Sequence, residues 1–439
     1  MARHAAGPPG RADSSGTFLA MPVRAAEPEA SNARQRNIAL ALVIAGAFAL
    51  AVIPEVINHL LVKHVPDTSP IQGKAYETAP AHLARWGFSA VLLGLTSLVV
   101  LMRGHPSRNI GRLLILLLAV NLPYLVGPQQ PDAAALIKLV LANTFFVAIW
   151  NVGGSVAELK WIPIIVSAVG VYSIIGGLII PEYMMYNIVS RKAIIAGWEL
   201  AGPFGHSNVL GVYCGVAFAL VPLIDNVRWR VLCAVTLVAT ITASATRTAL
   251  IGVGFVMLWW LLCYFRSVFS IRVAGTALAT ITMVGMFIVP FLNWDPRAFT
   301  DRAYIWAASV RIWRESPLFG KGFDWFANDA QYSAEIANWA FVGTGHNIVM
   351  DTLVKTGLVG MAAVVPLFII AIRFARSSPI VNQQIAIFGF LIGYFVIATT
   401  EAAWDLWPNV QLFPISAMIF AIIAVARDSD SDTAQDNVP

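Results

Sequence analysis

Long apolar runs separated by short polar connections dominate this chain between residues 38 and 426. The hydrocarbon core of a bilayer takes about 20 apolar residues per helix, which is close to the length of these runs. The polar break SATR divides the run at 229–264 into two spans. We therefore predict an all-α polytopic membrane protein with about twelve transmembrane helices, near residues 38–57, 83–102, 110–126, 133–150, 161–180, 207–224, 229–245, 247–264, 271–292, 346–372, 384–400 and 408–426.

Polar tails flank this apolar region. Residues 1–37 are rich in Ala, Pro, Gly, Ser and Arg without an apolar period, which predicts a disordered tail, and residues 427–439 form a second polar tail. The first tail is long for a signal peptide and no small-residue cleavage site follows, so the run near residue 38 is predicted to be a membrane helix. No segment is large enough to fold as a separate soluble domain, and 38–426 is predicted to be one transmembrane domain.

Composition excludes an ordinary soluble protein. The chain is 58% hydrophobic and only 12% charged, whereas soluble domains carry about 25% charged residues. The net charge of +5 is typical of a membrane protein that keeps Lys and Arg in cytoplasmic loops, so we predict no nucleic-acid partner. The three cysteines lie in or beside apolar runs without metal-binding spacing and are interpreted as packing residues.

Positive charges alternate between successive connections, which predicts the orientation. With both termini in the cytoplasm, the cytoplasmic connections hold most of the Lys and Arg residues, and the external connections at 127–132 and 401–407 hold none. The long loop 293–345 between spans nine and ten is then external. Several cations break the rule by lying on the external side, and an anionic ligand is the simplest reason: Arg191, Lys192, Arg247, Arg297, Arg302, Arg311, Arg314 and Lys321.

Three external positions are candidates for chemistry. Arg247 begins a span, where it either extends its charge to the membrane surface or binds a phosphate in bidentate fashion. Arg302 and Trp306 share a helix face, as do Arg311 and Glu315. That helix is either an ordinary interfacial helix or a surface for a lipid-linked anion.

His346 and Asn347 precede another apolar run. A lone histidine is usually structural, but His346 shares the external loop with the arginines and no competing nucleophile set is present there. The external acids form no close pair of the DxD type, which favours chemistry without a metal or cofactor.

Four segments in order resemble motifs of the O-antigen ligase and polymerase superfamily: GPFGHSNVLGVY at 202–213, SATRTAL, DRAYIW followed by SPLFGKGF, and GHNIVMDTLVKTGLVG. The resemblance covers about residues 200–375. Two positions depart from the family pattern, because Lys355 stands where members often have an acid and Ser207 replaces the usual proline.

The resemblance implies a GT-C-like fold and a metal-independent glycosyltransferase of the cytoplasmic membrane. Such an enzyme moves a glycan from undecaprenyl diphosphate to an acceptor hydroxyl on the outer face. Arg247 and Arg302 would hold the diphosphate and His346 would lie beside the acceptor hydroxyl, while Arg311 and Arg191 are supported only by a shared spacing to a glycine. Asn347 and Trp306 complete the predicted substrate-binding set, with membrane lipids as surroundings.

Two alternatives stay open at this point. A polymerase of the same superfamily differs from a ligase only in its acceptor, and the sequence names neither the acceptor nor the sugar. A flippase or transporter of lipid-linked sugars would also be polytopic and arginine-bearing, although it would be expected to have an internal repeat or charges within the membrane.

Overall fold

The chain folds into a bundle of α-helices in a computed structural model that describes residues 26–63, 77–102, 110–126, 132–187, 193–195, 197–323, 325–328, 343–403 and 411–426. The helices are α1 (Ala26–Leu61), α2 (Ala79–Leu101), α3 (Ile110–Val126), α4 (Ala133–Val152), α5 (Trp161–Ile179), α6 (Ser207–Ala219), α7 (Val227–Ala243), α8 (Arg247–Tyr264), α9 (Ile271–Ile288), α10 (Arg302–Glu315), α11 (Ile348–Ser377), α12 (Val381–Ala398) and α13 (Ala417–Val425). Single helical turns lie at Pro181–Met184 and Trp325–Asn328, and short 3-10 turns at Val156–Lys160, Val221–Leu223, Val289–Phe291 and Phe413–Ile415.

Eight helices of the described ranges are long and apolar enough to cross a bilayer, as an all-α polytopic membrane protein requires. Two further apolar helices, at Ile110–Leu122 and Ser207–Ala219, are shorter. The figure of twelve spans therefore stays a prediction, although a helix lies in each of the twelve predicted segments. The division of the run at 229–264 is present, because α7 ends at Ala243 and α8 begins at Arg247.

Two details differ from the sequence prediction. The first helix begins at Ala26, inside the segment predicted to be a disordered tail, so its N-terminal part extends the membrane helix by several polar turns. A short antiparallel pair of strands, β1 (Met185–Asn187) and β2 (Glu199–Leu200), also forms between α5 and α6. Residues 1–25 and 427–439, which include most of the two predicted tails, lie outside the described residues.

Helix α12 lies at the centre of the bundle and packs against α6, α8, α9 and α11. Small residues allow a close approach to α8, since a Cβ on Gly252 would lie 3.3 Å from the carbonyl oxygen of Gly393. The residues that follow the C-terminal end of α12 are therefore surrounded by several helices.

Helix α11 is broken at Gly357, whose φ of 63° and ψ of −158° are not helical. The backbone of residues 317–322, here called the 317–322 segment, supplies the missing partners. Leu358 N donates to Pro317 O at 2.9 Å, and Lys321 N donates to Val354 O at 2.7 Å. A Cβ on Gly357 would lie 2.4 Å from the Leu318 carbonyl group, so only glycine fits at the break.

Lys355, which departs from the family pattern, lies just before this break and has a local partner. Its Nζ donates to Asp351 Oδ2 at 2.7 Å, one helical turn earlier, and both side chains are buried. Asp351 Oδ1 also accepts from the backbone N of Gly345 at 2.6 Å. The buried lysine therefore forms a closed ion pair within α11 that also holds the loop before it.

Candidate functional site

Five helix ends meet at one face of the bundle, around the residues Thr399, Thr400 and Glu401 that follow α12. Thr399 O accepts from Asn347 Nδ2 at 3.0 Å, which ties α12 to the start of α11. The hydroxyl of Thr400 lies 2.9 Å from that of Thr248, in the first turn of α8. Glu401 contacts both α6 and α10.

Glu401 is the acid on which the candidate residues converge. Its Oε1 accepts from Arg302, the first residue of α10, at 2.5 Å, and from Asn208 Nδ2 in α6 at 3.0 Å. Its Oε2 lies 3.9 Å from Nδ1 of His346, an ion-pair distance that is too long for a direct hydrogen bond. The Glu401 side chain is only 10% exposed, so these contacts are made largely away from water.

The neighbouring basic groups determine the charge of Glu401. Burial raises the pKa of this carboxyl group, but Arg302 and His346, with a smaller contribution from His206, together outweigh burial. The pKa of Glu401 therefore lies below its ordinary value. The site consequently contains a buried carboxylate with several basic groups around it.

Backbone strain is concentrated at the same place. The non-glycine residues with positive φ in the described ranges are Ala245, Phe299, Thr300, Asp301 and His346. Each is one of the three predicted catalytic residues or lies within three positions of one. Such conformations cost about 1–3 kcal/mol each and cluster at active sites, where surrounding contacts hold them. The strain supports a functional role for this corner of the protein.

The three predicted catalytic residues lie near one another in different settings. Arg247 is the exposed first residue of α8, directly before the threonine that contacts Thr400. Arg302 is mostly buried, and its Nη1 also donates to Phe299 O at 3.1 Å. The His346 side chain is 19% exposed at the edge of the cluster.

The predicted substrate-binding residues are more dispersed. Asn347 is fully buried and caps α11, with its Oδ1 accepting from Val349 N and Met350 N, which is a position typical of a structural residue. Trp306 is also fully buried, with its ring 5.2 Å from that of Phe299.

Of the two remaining arginines predicted to bind substrate, the structure describes only Arg311. Arg311 is exposed on α10, about 13 Å along the helix axis from Arg302. Glu315, predicted to share its face, accepts from Lys321 at 2.7 Å. Arg191 lies outside the described residues, so its role stays a prediction.

Sequence reasoning missed Glu401, Asn208 and His206. Glu401 follows a span in a connection that was noted only for its lack of cations, and a single acid at a helix end is a weak signal. Asn208 and His206 lie in the motif at 202–213, but the sequence does not show that Glu401 is close to them. His206 accepts from Asn208 N at 3.0 Å through Nδ1, and its ring lies 4.3 Å from that of Tyr186.

The described residues contain no group of three or more His, Cys, Asp or Glu side chains placed to hold a metal ion. What the site offers instead is the Glu401 carboxylate with the Arg302 guanidinium and the His346 imidazole beside it, and the exposed Arg247 at the start of the adjoining helix. These groups are suited to moving a proton and to binding an anion.

Comparison with known proteins agrees with the motifs. Residues 232–365 match the family model described as O-antigen ligase, Wzy_C. The match covers less than half of the chain and includes Arg247, Arg302 and His346, while Glu401 and Asn208 lie outside it. No curated protein matches the chain. The resemblance to the O-antigen ligase and polymerase superfamily, inferred from the motifs, is confirmed over these residues, and the apolar helices agree with a membrane protein.

Proposed function

We propose that this protein is a membrane glycosyltransferase that moves a glycan from an undecaprenyl-diphosphate-linked donor to an acceptor hydroxyl. One observation carries the proposal: the strained His346 lies beside buried Glu401 and Arg302, and the exposed Arg247 begins the adjoining helix. An imidazole close to guanidinium groups supports a reaction that needs a base for the acceptor and cations for the donor. The superfamily similarity supports the same reaction class.

The proposed step is a single displacement. The acceptor oxygen bonds to the anomeric carbon of the donor sugar as the bond from that carbon to the diphosphate oxygen breaks. The acceptor proton passes to His346, and the electron pair of the broken bond leaves with the lipid diphosphate. A sugar hydroxyl is a weak nucleophile until a base takes its proton, and imidazole is well matched to that task near neutral pH.

Arginines would stabilise the departing diphosphate. Arg247 is exposed, so its guanidinium has room to bind phosphate oxygens in bidentate fashion. Arg302 donates to Glu401 through one nitrogen and to a backbone carbonyl through another, and these contacts hold its guanidinium group in place. It would therefore contribute a fixed positive charge to the diphosphate site. Because a guanidinium remains charged, this stabilisation needs no proton transfer and, in our proposal, no metal ion.

The test of the proposal is glycan transfer by purified protein. Labelled lipid-linked glycan extracted from the source strain is incubated with that strain's membrane lipids and with wild-type or His346→Ala protein. A general base contributes about 10²–10⁴-fold, so His346→Ala should lose about that much turnover while keeping its thermal stability and donor binding.

His82→Ala is the matched control, because His82 is an exposed histidine of α2 outside the cluster. Its turnover should equal that of the wild type. Full turnover of His346→Ala would remove His346 from the reaction. Transfer should persist in EDTA, and a loss that a divalent ion restores would contradict a metal-independent step.

The products distinguish ligase from polymerase. Glycan attached to a lipid acceptor would identify a ligase, and lengthened lipid-linked chains would identify a polymerase. Movement of intact donor across proteoliposomes without a new glycosidic bond would identify the transporter alternative and contradict the proposal.

We also propose that the site faces outward from the cytoplasmic membrane, as the alternation of Lys and Arg between loops predicts. The three native cysteines are buried, so a cysteine introduced at Asn328 would report with little background. An impermeant thiol reagent should label Asn328→Cys in intact cells. Labelling only after lysis would contradict the orientation.

A further inference from the structure

We propose that Glu401 is a positioning residue that holds His346 in the orientation and tautomer needed to accept the proton of the acceptor hydroxyl. This inference rests on the proposed glycosyl transfer and assigns a role to a residue outside the region matched by the family model. In this arrangement Nδ1 of His346 carries its proton towards Glu401, and Nε2 then has the lone pair that takes the acceptor proton.

The division of contacts between the two carboxylate oxygens supports this role. Oε1 accepts from both Arg302 and Asn208, whereas Oε2 is the oxygen closest to His346, at 3.9 Å. An arginine that only balanced the acid could take both oxygens in a bidentate pair. Here two donors hold one oxygen, and the other is directed to the imidazole.

A hydrogen bond between their near neighbours in the chain limits the distance between Glu401 and His346. Asn347, directly after the histidine, donates to Thr399 O, two positions before the glutamate. The positive φ of His346, 46°, turns its side chain at a fixed point of the chain. A shift of about 1 Å would bring Nδ1 and Oε2 into hydrogen-bond range, and catalytic hydrogen bonds are often longer without substrate.

The charged and titratable groups facing Glu401 come from several elements. Arg302 is supplied by α10, His346 by the turn before α11, and His206 by the turn before α6. Asn208 adds a neutral donor from α6. The lowered pKa of Glu401 means that the carboxylate is ionised at neutral pH, as a partner for a protonated imidazole requires.

The test is a double-mutant cycle on turnover. Glu401→Gln keeps the size of the side chain and an oxygen for Arg302 but removes the negative charge opposite His346. We expect kcat to fall by about 10²–10⁴-fold, up to the loss seen in His346→Ala, with the KM for the lipid-linked donor changed less than about threefold. In the His346→Ala background, Glu401→Gln should cost less than about threefold more, because residues acting as a unit are not additive.

Two further variants keep the test decisive. Glu401→Asp keeps the charge near Arg302 but withdraws the carboxylate by about one carbon–carbon bond, 1.5 Å, so it should keep the melting temperature and still lose kcat. Glu55→Gln is the matched control, because Glu55 is another buried glutamate paired with an arginine, Arg85, at 2.9 Å. Its kcat should stay within about twofold of the wild type, since it is not part of the cluster.

The outcomes separate the two proposals. If the wild type transfers no glycan, the proposed function fails. If the wild type transfers and His346→Ala does not, but Glu401→Gln has full kcat, only the role of Glu401 fails. Losses that multiply in the double variant would mean that Glu401 acts independently of His346 and would also overturn it. If Glu401→Gln does not fold, the kcat of folded Glu401→Asp decides, and full kcat overturns the inference.

Discussion

Asp351 in α11 and Glu401 after α12 are both buried acids, and they differ in how their charge is balanced. Asp351 has one cation, Lys355, at 2.7 Å, and its other oxygen accepts from Gly345 N at 2.6 Å. That pair is neutral and both side chains are at most 7% exposed. It ties α11 to the loop that precedes this helix.

Glu401 has an excess of basic partners. Arg302 pairs with it at 2.5 Å, the imidazoles of His346 and His206 lie close to it, and the exposed Arg247 begins the adjoining helix. The difference indicates that a closed one-to-one ion pair serves the structure, whereas a buried acid with further basic groups and an exposed arginine near it marks a place where an anion can bind. The predictions below test this distinction, beginning with the largest expected effect.

Removing one partner of the closed pair should cost the most stability. Lys355→Met leaves the buried Asp351 without its cation, which typically costs about 3–5 kcal/mol. Thermal unfolding of the purified protein measures the effect. Lys321→Met, which removes the more exposed pair with Glu315, should cost about 0–1 kcal/mol, and equal losses would contradict the distinction between the pairs.

Replacing Arg247, the exposed cation near Glu401, should cost activity rather than stability. Arg247→Lys keeps the charge but loses bidentate geometry, and we expect about a 10²-fold loss in kcat. Donor turnover and melting temperature are measured together. Arg230→Lys is the control, because Arg230 donates to the Ile224 carbonyl group at the far end of α7. Wild-type turnover in Arg247→Lys would place the diphosphate elsewhere.

The helix break next to the closed pair should depend on glycine. Gly357→Ala combines a left-handed φ with a Cβ 2.4 Å from Leu318, and we expect a loss of about 1–3 kcal/mol from the backbone strain alone. Gly254→Ala in α8 has no atom within 4 Å of the new Cβ and should be neutral or slightly stabilising. Similar melting temperatures for the two variants would argue against the tight contact with the 317–322 segment.

The smallest expected effect concerns the contact between α8 and the residues that follow α12. Thr248→Val removes the hydroxyl that contacts Thr400, which should cost about 0.5–1.5 kcal/mol and lower turnover a few-fold by loosening Arg247. Thr276→Val is matched, since that hydroxyl donates to Arg272 O within its own helix, at 2.7 Å. A turnover change in Thr276→Val as large as that in Thr248→Val would point to a general effect of threonine loss.

Much of the membrane architecture follows from the sequence because it depends on local hydrophobicity. Each apolar run contains a helix, the SATR break separates α7 from α8, and the motif residues Arg302 and His346 both lie beside Glu401. The helical start at Ala26 was missed because its first turns are polar and helix formation there is not signalled by an apolar stripe.

The partners of these residues were decided by the tertiary structure. Glu401 is far from His346 along the chain, and its role arises only because α12 packs at the centre of the bundle and ends among α6, α8, α10 and α11. Gly357 and the 317–322 segment likewise meet only when α11 breaks. Hydrophobicity determines which residues enter the membrane, but the same apolar pattern is compatible with many ways of packing the helices. Side-chain packing and hydrogen bonding select one arrangement, and that selection placed an acid beside the histidine.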